Sequence, residues 1–106
     1  MWTVEYLNAR VKAELDGQPA EIRSRFERIV SLIKERGLEQ IHEPYVKHLQ
    51  GPLWEMRMKG KDSIARAIYV TVRERRVVIL HVFTKKTQKT PQREMETALR
   101  RMKDIE

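Results

Sequence analysis

Three β-type runs follow one another in the second half of the chain, at residues 53–58, 65–72 and 76–85, separated only by the short segments 59–63 and 73–75. Connections that short join antiparallel neighbours, because a parallel crossover needs a dozen residues or more. The simplest topology is a three-strand meander. An earlier run, residues 2–7, alternates aromatic and β-branched residues with polar ones and predicts a short first strand.

Helical periodicity frames these strands. Asn8 is placed to cap one or two turns over residues 8–15, closed by Asp16-Gly17. Pro19 then stands at the first turn of a second helix, in which Ile22, Phe26, Ile29, Val30 and Ile33 recur at helical spacing until Gly37 supplies a C-cap. Residues 38–52, punctuated by Pro44, Gly51 and Pro52, form an irregular connection. Thr90-Pro91 predicts an N-cap followed by proline at the first helical position, with Met95, Ala98, Leu99 and Met102 on one face of a closing helix. The order is strand, helix, three strands, helix. It predicts an α+β fold in which the helices pack on one face of a small antiparallel sheet. Trp54, Phe83, Met95, Leu99 and Met102 are expected in its core, and 106 residues suit a single domain spanning 1–106.

Charge is unevenly spread. Residues 1–52 carry eight basic and eight acidic side chains, so the net charge of +7 lies wholly in the second half. From Arg57 to Lys89 there are ten Lys/Arg against only Asp62 and Glu74. Such a segment suits a polyanionic partner, the bland alternative being a solubilising charged face. The absence of cysteine excludes disulfides and thiolate metal sites. No apolar run reaches the length of a membrane span, and the N-terminal segment lacks the order of a signal peptide, so a cytoplasmic protein without membrane partners is expected.

No glycine-rich phosphate loop, HExxH or GxSxG motif occurs, and His42, His48 and His81 show no metal-type pairing. Neither a metal nor a cofactor is expected. Cations instead interrupt the strands. Side chains two apart on a strand share a face, so burying Trp54, Met56 and Met58 turns Glu55 and Arg57 to the other side. Arg66 opens an apolar run and Lys85 and Lys86 close another, so adjacent strands are able to gather these cations into a concave patch suited to phosphates.

Taken together, Leu53-Trp54-Glu55-Met56-Arg57, Ala65-Arg66-Ala67-Ile68-Tyr69 and Val78-Ile79-Leu80-His81-Val82-Phe83-Thr84-Lys85-Lys86-Thr87-Gln88-Lys89-Thr90-Pro91 resemble the signature of phage-related HigB-like toxins of the RelE/ParE superfamily. The lysine-rich segment before the last helix is the most distinctive part. The resemblance implies a RelE-like fold, the toxin role of a type II toxin–antitoxin system, and metal-independent cleavage of messenger RNA on the ribosome. It also implies neutralisation by a helix-turn-helix antitoxin encoded alongside. The toxin is expected to be a monomer when free.

Such cleavage needs a group to deprotonate the 2′-hydroxyl, a group to stabilise charge on the phosphate and a group to protonate the leaving 5′-oxygen. Arg66 is the candidate charge stabiliser, with Arg57 as a second phosphate clamp. Lys85 and Lys86 are candidates for base and acid, Lys89 for acid or phosphate contact, and spacing does not apportion those roles. His81 is the proton-transfer candidate by residue type, set against a packed sheet residue. Tyr69 is the candidate to stack on a base, and Lys59, Lys61 and Arg73 are candidate RNA contacts. RelE-type nucleases often carry a catalytic tyrosine or histidine near the C-terminus, and residues 92–106 have neither. A lysine of the set, His81 or the ribosomal RNA must then supply the acid. The competing expectations are a non-catalytic basic module that binds RNA or the ribosome, and a ParE-like gyrase poison on the same fold.

Overall fold

The computed structural model describes residues 1–86 and 89–105. Its elements are β1 (Thr3–Tyr6), α1 (Ala9–Asp16), α2 (Ala20–Arg36), a 3-10 turn (Leu38–Gln40), β2 (Val46–Gln50), β3 (Leu53–Lys59), β4 (Ile64–Val72), β5 (Arg76–Thr84) and α3 (Gln92–Met102). The strands form one sheet in the order β1-β5-β4-β3-β2.

Local signals account for most of these boundaries. The Asn8 side chain accepts a hydrogen bond from the Val11 N–H at 3.1 Å, which satisfies an otherwise orphaned donor at the start of α1. Gly37 ends α2 at φ 86°, a conformation that L-residues with a Cβ avoid. The α+β class and the β3-β4-β5 meander are as the sequence predicts.

Four features differ from expectation. The sheet is mixed, since β1 lies parallel to β5 with Thr3 opposite Arg76 and Tyr6 opposite Ile79. Residues 46–50, assigned to an irregular connection, form β2 antiparallel to β3. Val46 is the only one of its residues that is buried, so its sequence carries little of the alternation that marks a half-buried strand. Thr90 is not the cap of α3, because Pro91 occupies that position and no side chain caps it.

The fourth difference concerns the layers. The helices cover both faces of the sheet, not one. One apolar cluster joins α1 and α2 to Met56, Met58, Ala65, Ala67, Tyr69, Val77 and Ile79. A second, on the other face, joins Met95 and Ala98 of α3 to Leu53, Ile68, Val70, Val78 and Leu80. The cause is written in β4 and β5, whose runs are apolar at nearly every position and so need cover on both sides. Trp54, expected in the core, is 39% exposed and meets the His48 ring edge-on at 5.0 Å between centroids. It lies beside the edge strand, where β2 adds only Val46 to the α2-side core.

Candidate functional site

Register brings the cations of three strands together. Arg57 lies directly opposite Arg66, and Arg66 directly opposite Phe83. One step along the strands, Lys47 lies opposite Glu55. Residues paired in this way share a face, and Phe83 packs on the α3 side, so this row faces α3.

Lys85 reaches the same face through a bulge. Ile68 pairs with His81 but Tyr69 with Ile79, which leaves Leu80 as the extra residue in β5. Before the bulge Val77 and Ile79 face α2, whereas beyond it Phe83 faces α3. The shift by one carries His81, Phe83 and Lys85 to the α3 side, a re-aiming that bulges commonly perform.

Glu55 is the centre of the cluster and only 1% exposed. Its Oε1 accepts a hydrogen bond from the Thr90 hydroxyl at 2.6 Å. Its Oε2 lies 3.4 Å from Arg66 Nε and 3.7 Å from Arg57 Nε. A carboxylate taken out of water is costly unless it is matched, and here two guanidiniums and a hydroxyl match it. The Thr90 bond also pins the segment that precedes α3 to the middle of β3.

Arg66 is buried, with 6% exposure, and its Nη1 donates to the Ala65 carbonyl at 3.1 Å. Its Nε has no hydrogen-bond partner despite the nearby carboxylate, so the contact with Glu55 is an ion pair with poor donor alignment. Burial, together with Arg57, lowers the affinity of the Arg66 guanidinium for its proton, against the pull of Glu55. Arginine stays charged nonetheless. Lys85 is equally buried, and its backbone N–H donates to the Ile64 carbonyl at 2.8 Å. Desolvation, then Arg66, holds its ammonium below the ordinary lysine range, with Arg57 and Lys47 adding to the shift and Glu55 opposing it.

Arg57, Arg66 and Lys85 are thus brought together. Lys59 ends β3 and Lys61 lies in the following turn, both exposed, and the Lys61 N–H bonds the Glu21 carboxylate of α2. Lys86 and Lys89 are exposed, whereas Thr87 and Gln88 of the lysine-rich segment lie outside the described residues.

Three expected residues are elsewhere. Tyr69 is 1% exposed and packs in the α2-side cluster, so its ring is closed to a base on the cationic face. Arg73 lies in the β4–β5 turn, seven residues from Arg66 and so roughly 23 Å away at about 3.3 Å per strand residue. His81 faces α3 but is held in a junction. Its Nε2 is 2.8 Å from Glu94 Oε1, and its Nδ1 is 3.3 Å from both Glu14 Oε1 and Arg101 Nη1. Arg101 also donates to both Glu14 oxygens, at 3.0 and 2.8 Å, and to the Leu80 carbonyl at 3.0 Å. These bonds tie α1, β5 and α3 together and leave His81 8% exposed.

Sequence reasoning missed Glu55 as a site residue. The signal was its place two residues before Arg57, which puts it on the same face of one strand. Glu14 and Arg101 gave no comparable signal, since their partners are far away in the chain.

A groove of about 710 Å³ opens on the other side of the sheet, with Trp2, Ile41, Trp54 and Tyr69 in its wall. It is apolar where the α3-side cluster is cationic. Among the described residues no helix is long and apolar enough to cross a membrane, and no three His, Asp or Glu side chains gather as a metal site.

A small mixed sheet between helices, with this order of elements, is compatible with the RelE-like fold. Sequence comparison agrees with it. The chain belongs to the family described as Phage derived protein Gp49-like, whose model matches residues 13–103 and so spans the whole cationic cluster. That family is associated with toxin–antitoxin systems and related to RelE-like toxins. A comparison with curated proteins found no match.

Proposed function

We propose that the protein is the HigB-like toxin of a type II toxin–antitoxin pair and cleaves messenger RNA in the ribosomal A site. The observation that carries this reading is the set of buried Arg66 and Lys85 and half-buried Arg57 around Glu55, with Lys85 held below the ordinary lysine range. Membership of a toxin–antitoxin-associated family supports the toxin role. The partner is a helix-turn-helix antitoxin from the neighbouring gene, and the site of action is the cytoplasm.

In this mechanism neutral Lys85 takes the proton of the 2′-hydroxyl as its oxygen attacks the adjacent phosphorus. Arg66 and Arg57 stabilise the negative charge that builds on the phosphate oxygens. The bond to the 5′-oxygen breaks, leaving a 2′,3′-cyclic phosphate, and a proton is delivered to the leaving oxygen by Lys86 or by ribosomal RNA. Lys59, Lys61, Lys86 and Lys89 hold the flanking phosphates. No step needs a metal. With His81 held by Glu94, Glu14 and Arg101, the proton for the leaving oxygen is left to Lys86 or the ribosome, and this is why the ribosome is expected to be needed.

Mapping message ends in a reconstituted translation system tests this. Cleavage is expected with ribosomes and at least about a hundredfold slower on naked RNA, the scale of one missing acid or base. Equal rates would remove the ribosome from the mechanism, and no cleavage in either would remove the nuclease.

A further inference from the structure

Three tyrosines occur in the chain, and two have structural duties. Tyr6 stacks on Phe26 with ring centroids 6.1 Å apart, and Tyr69 is buried. Tyr45 is different. It is 41% exposed, and among the described residues no hydrogen bond or ring contact engages its side chain.

Its backbone fixes where it stands. The Arg57 N–H donates to the Tyr45 carbonyl at 2.8 Å, and the pairing continues as Val46 with Met56 and Lys47 with Glu55. Tyr45 therefore extends the register opposite Arg57. Val46 packs in the α2-side core, and Tyr45, the turn residue just before β2, keeps the ladder bond to Arg57, so extending the alternation by one residue puts it on the α3 side. Lys47, two residues on, lies opposite Glu55 in that register and shares its face.

An open aromatic ring next to a set of phosphate-binding cations is what single-stranded RNA requires of a protein. Bases stack on the ring while the backbone follows the charges. We propose that Tyr45 is the platform on which a base of the bound message stacks, next to the phosphate held by Arg57 and Arg66, so that RNA is gripped by base and backbone together. This rests on the nuclease reading above and assigns to Tyr45 the stacking role that the buried Tyr69 is unable to fill.

The test is binding of a short single-stranded RNA whose cleavage is blocked by 2′-O-methylation, offered free and in the A site of programmed ribosomes, to the parent, Tyr45→Phe and Tyr45→Ala proteins. Tyr45→Ala is expected to weaken binding about tenfold, the scale of one lost base stack. Tyr45→Phe is expected to bind within about twofold of the parent, and both variants to melt with it because the ring is exposed. On a cleavable message the loss is expected to appear in KM with kcat kept. Parental affinity in Tyr45→Ala, or an equal loss in Tyr45→Phe, overturns the stacking role and leaves the nuclease reading in place. A parent that binds RNA in neither setting overturns both.

Discussion

Arg66 is an arginine at the start of an apolar strand, and an exposed cation there would be removable with a change in stability within about 1 kcal/mol. Its burial against Glu55 reverses that expectation. Truncating it leaves a carboxylate that is 1% exposed with a more distant guanidinium and a hydroxyl. Breaking a buried pair costs about 3–5 kcal/mol, and the remaining partners bring the estimate to the lower end, about 3 kcal/mol. Urea unfolding of Arg66→Ala measures it, and a midpoint equal to the parent's would mean that Glu55 does not depend on Arg66. Glu55 and Arg66 are therefore a structural unit as well as a site, and loss of toxicity in Arg66→Ala has to be read beside its stability. Variants at Lys85 separate the two roles better, because desolvation already works against its charge.

At the scale of elements, the β5 bulge and the α3 junction build the site. The bulge moves Lys85 onto the face of Arg66, and the Glu14–Arg101–His81 bonds hold α3 over that face. Burial raises the Glu14 pKa, but the bonds from Arg101 and the Val82 N–H, with His81, outweigh it and leave the carboxyl below its ordinary value. A carboxylate depressed in the folded state adds stability that is fully present above its unfolded pKa and lost as pH falls through the folded one. Glu14→Gln is expected to lower stability near neutral pH by about 2 kcal/mol, the scale of hydrogen bonds to a charged group, and to flatten the loss of stability in acid. Thermal melting from neutral to acid pH reads both, and an unchanged acid slope would exclude Glu14 as its source. These features also mark where the sequence stops being informative. The caps and periodicities of α1 and α2 are local and were legible, and so was the meander. Neither the bulge nor the junction was, since Leu80 looks like any apolar strand residue and Glu14 meets Arg101 across 87 positions. The double-sided cover was legible in principle, from the nearly continuous apolar runs of β4 and β5.

For the whole molecule, the charge asymmetry of the sequence becomes an asymmetry of faces. The α3 side gathers Lys47, Arg57, Arg66 and Lys85, while the α2 side carries the larger apolar core and an apolar groove. The members of the site come from β2, β3, β4 and the end of β5, which explains why residue types and spacing pointed to Arg57, Arg66 and Lys85 but not to Glu55 or Tyr45. In the proposed mechanism Lys85, kept easy to deprotonate by burial and by its cationic neighbours, is the base in message cleavage. The most direct measurement is the rate of A-site message cleavage against pH for the parent and Lys85→Arg. The base acts when neutral, so the parental rate is expected to rise with pH and to level off below the ordinary lysine range. Lys85→Arg keeps the charge but not the readily removed proton, so it is expected to lose that rise and at least about a hundredfold in rate. An arginine variant that cleaves at the parental rate with the parental profile would contradict the account.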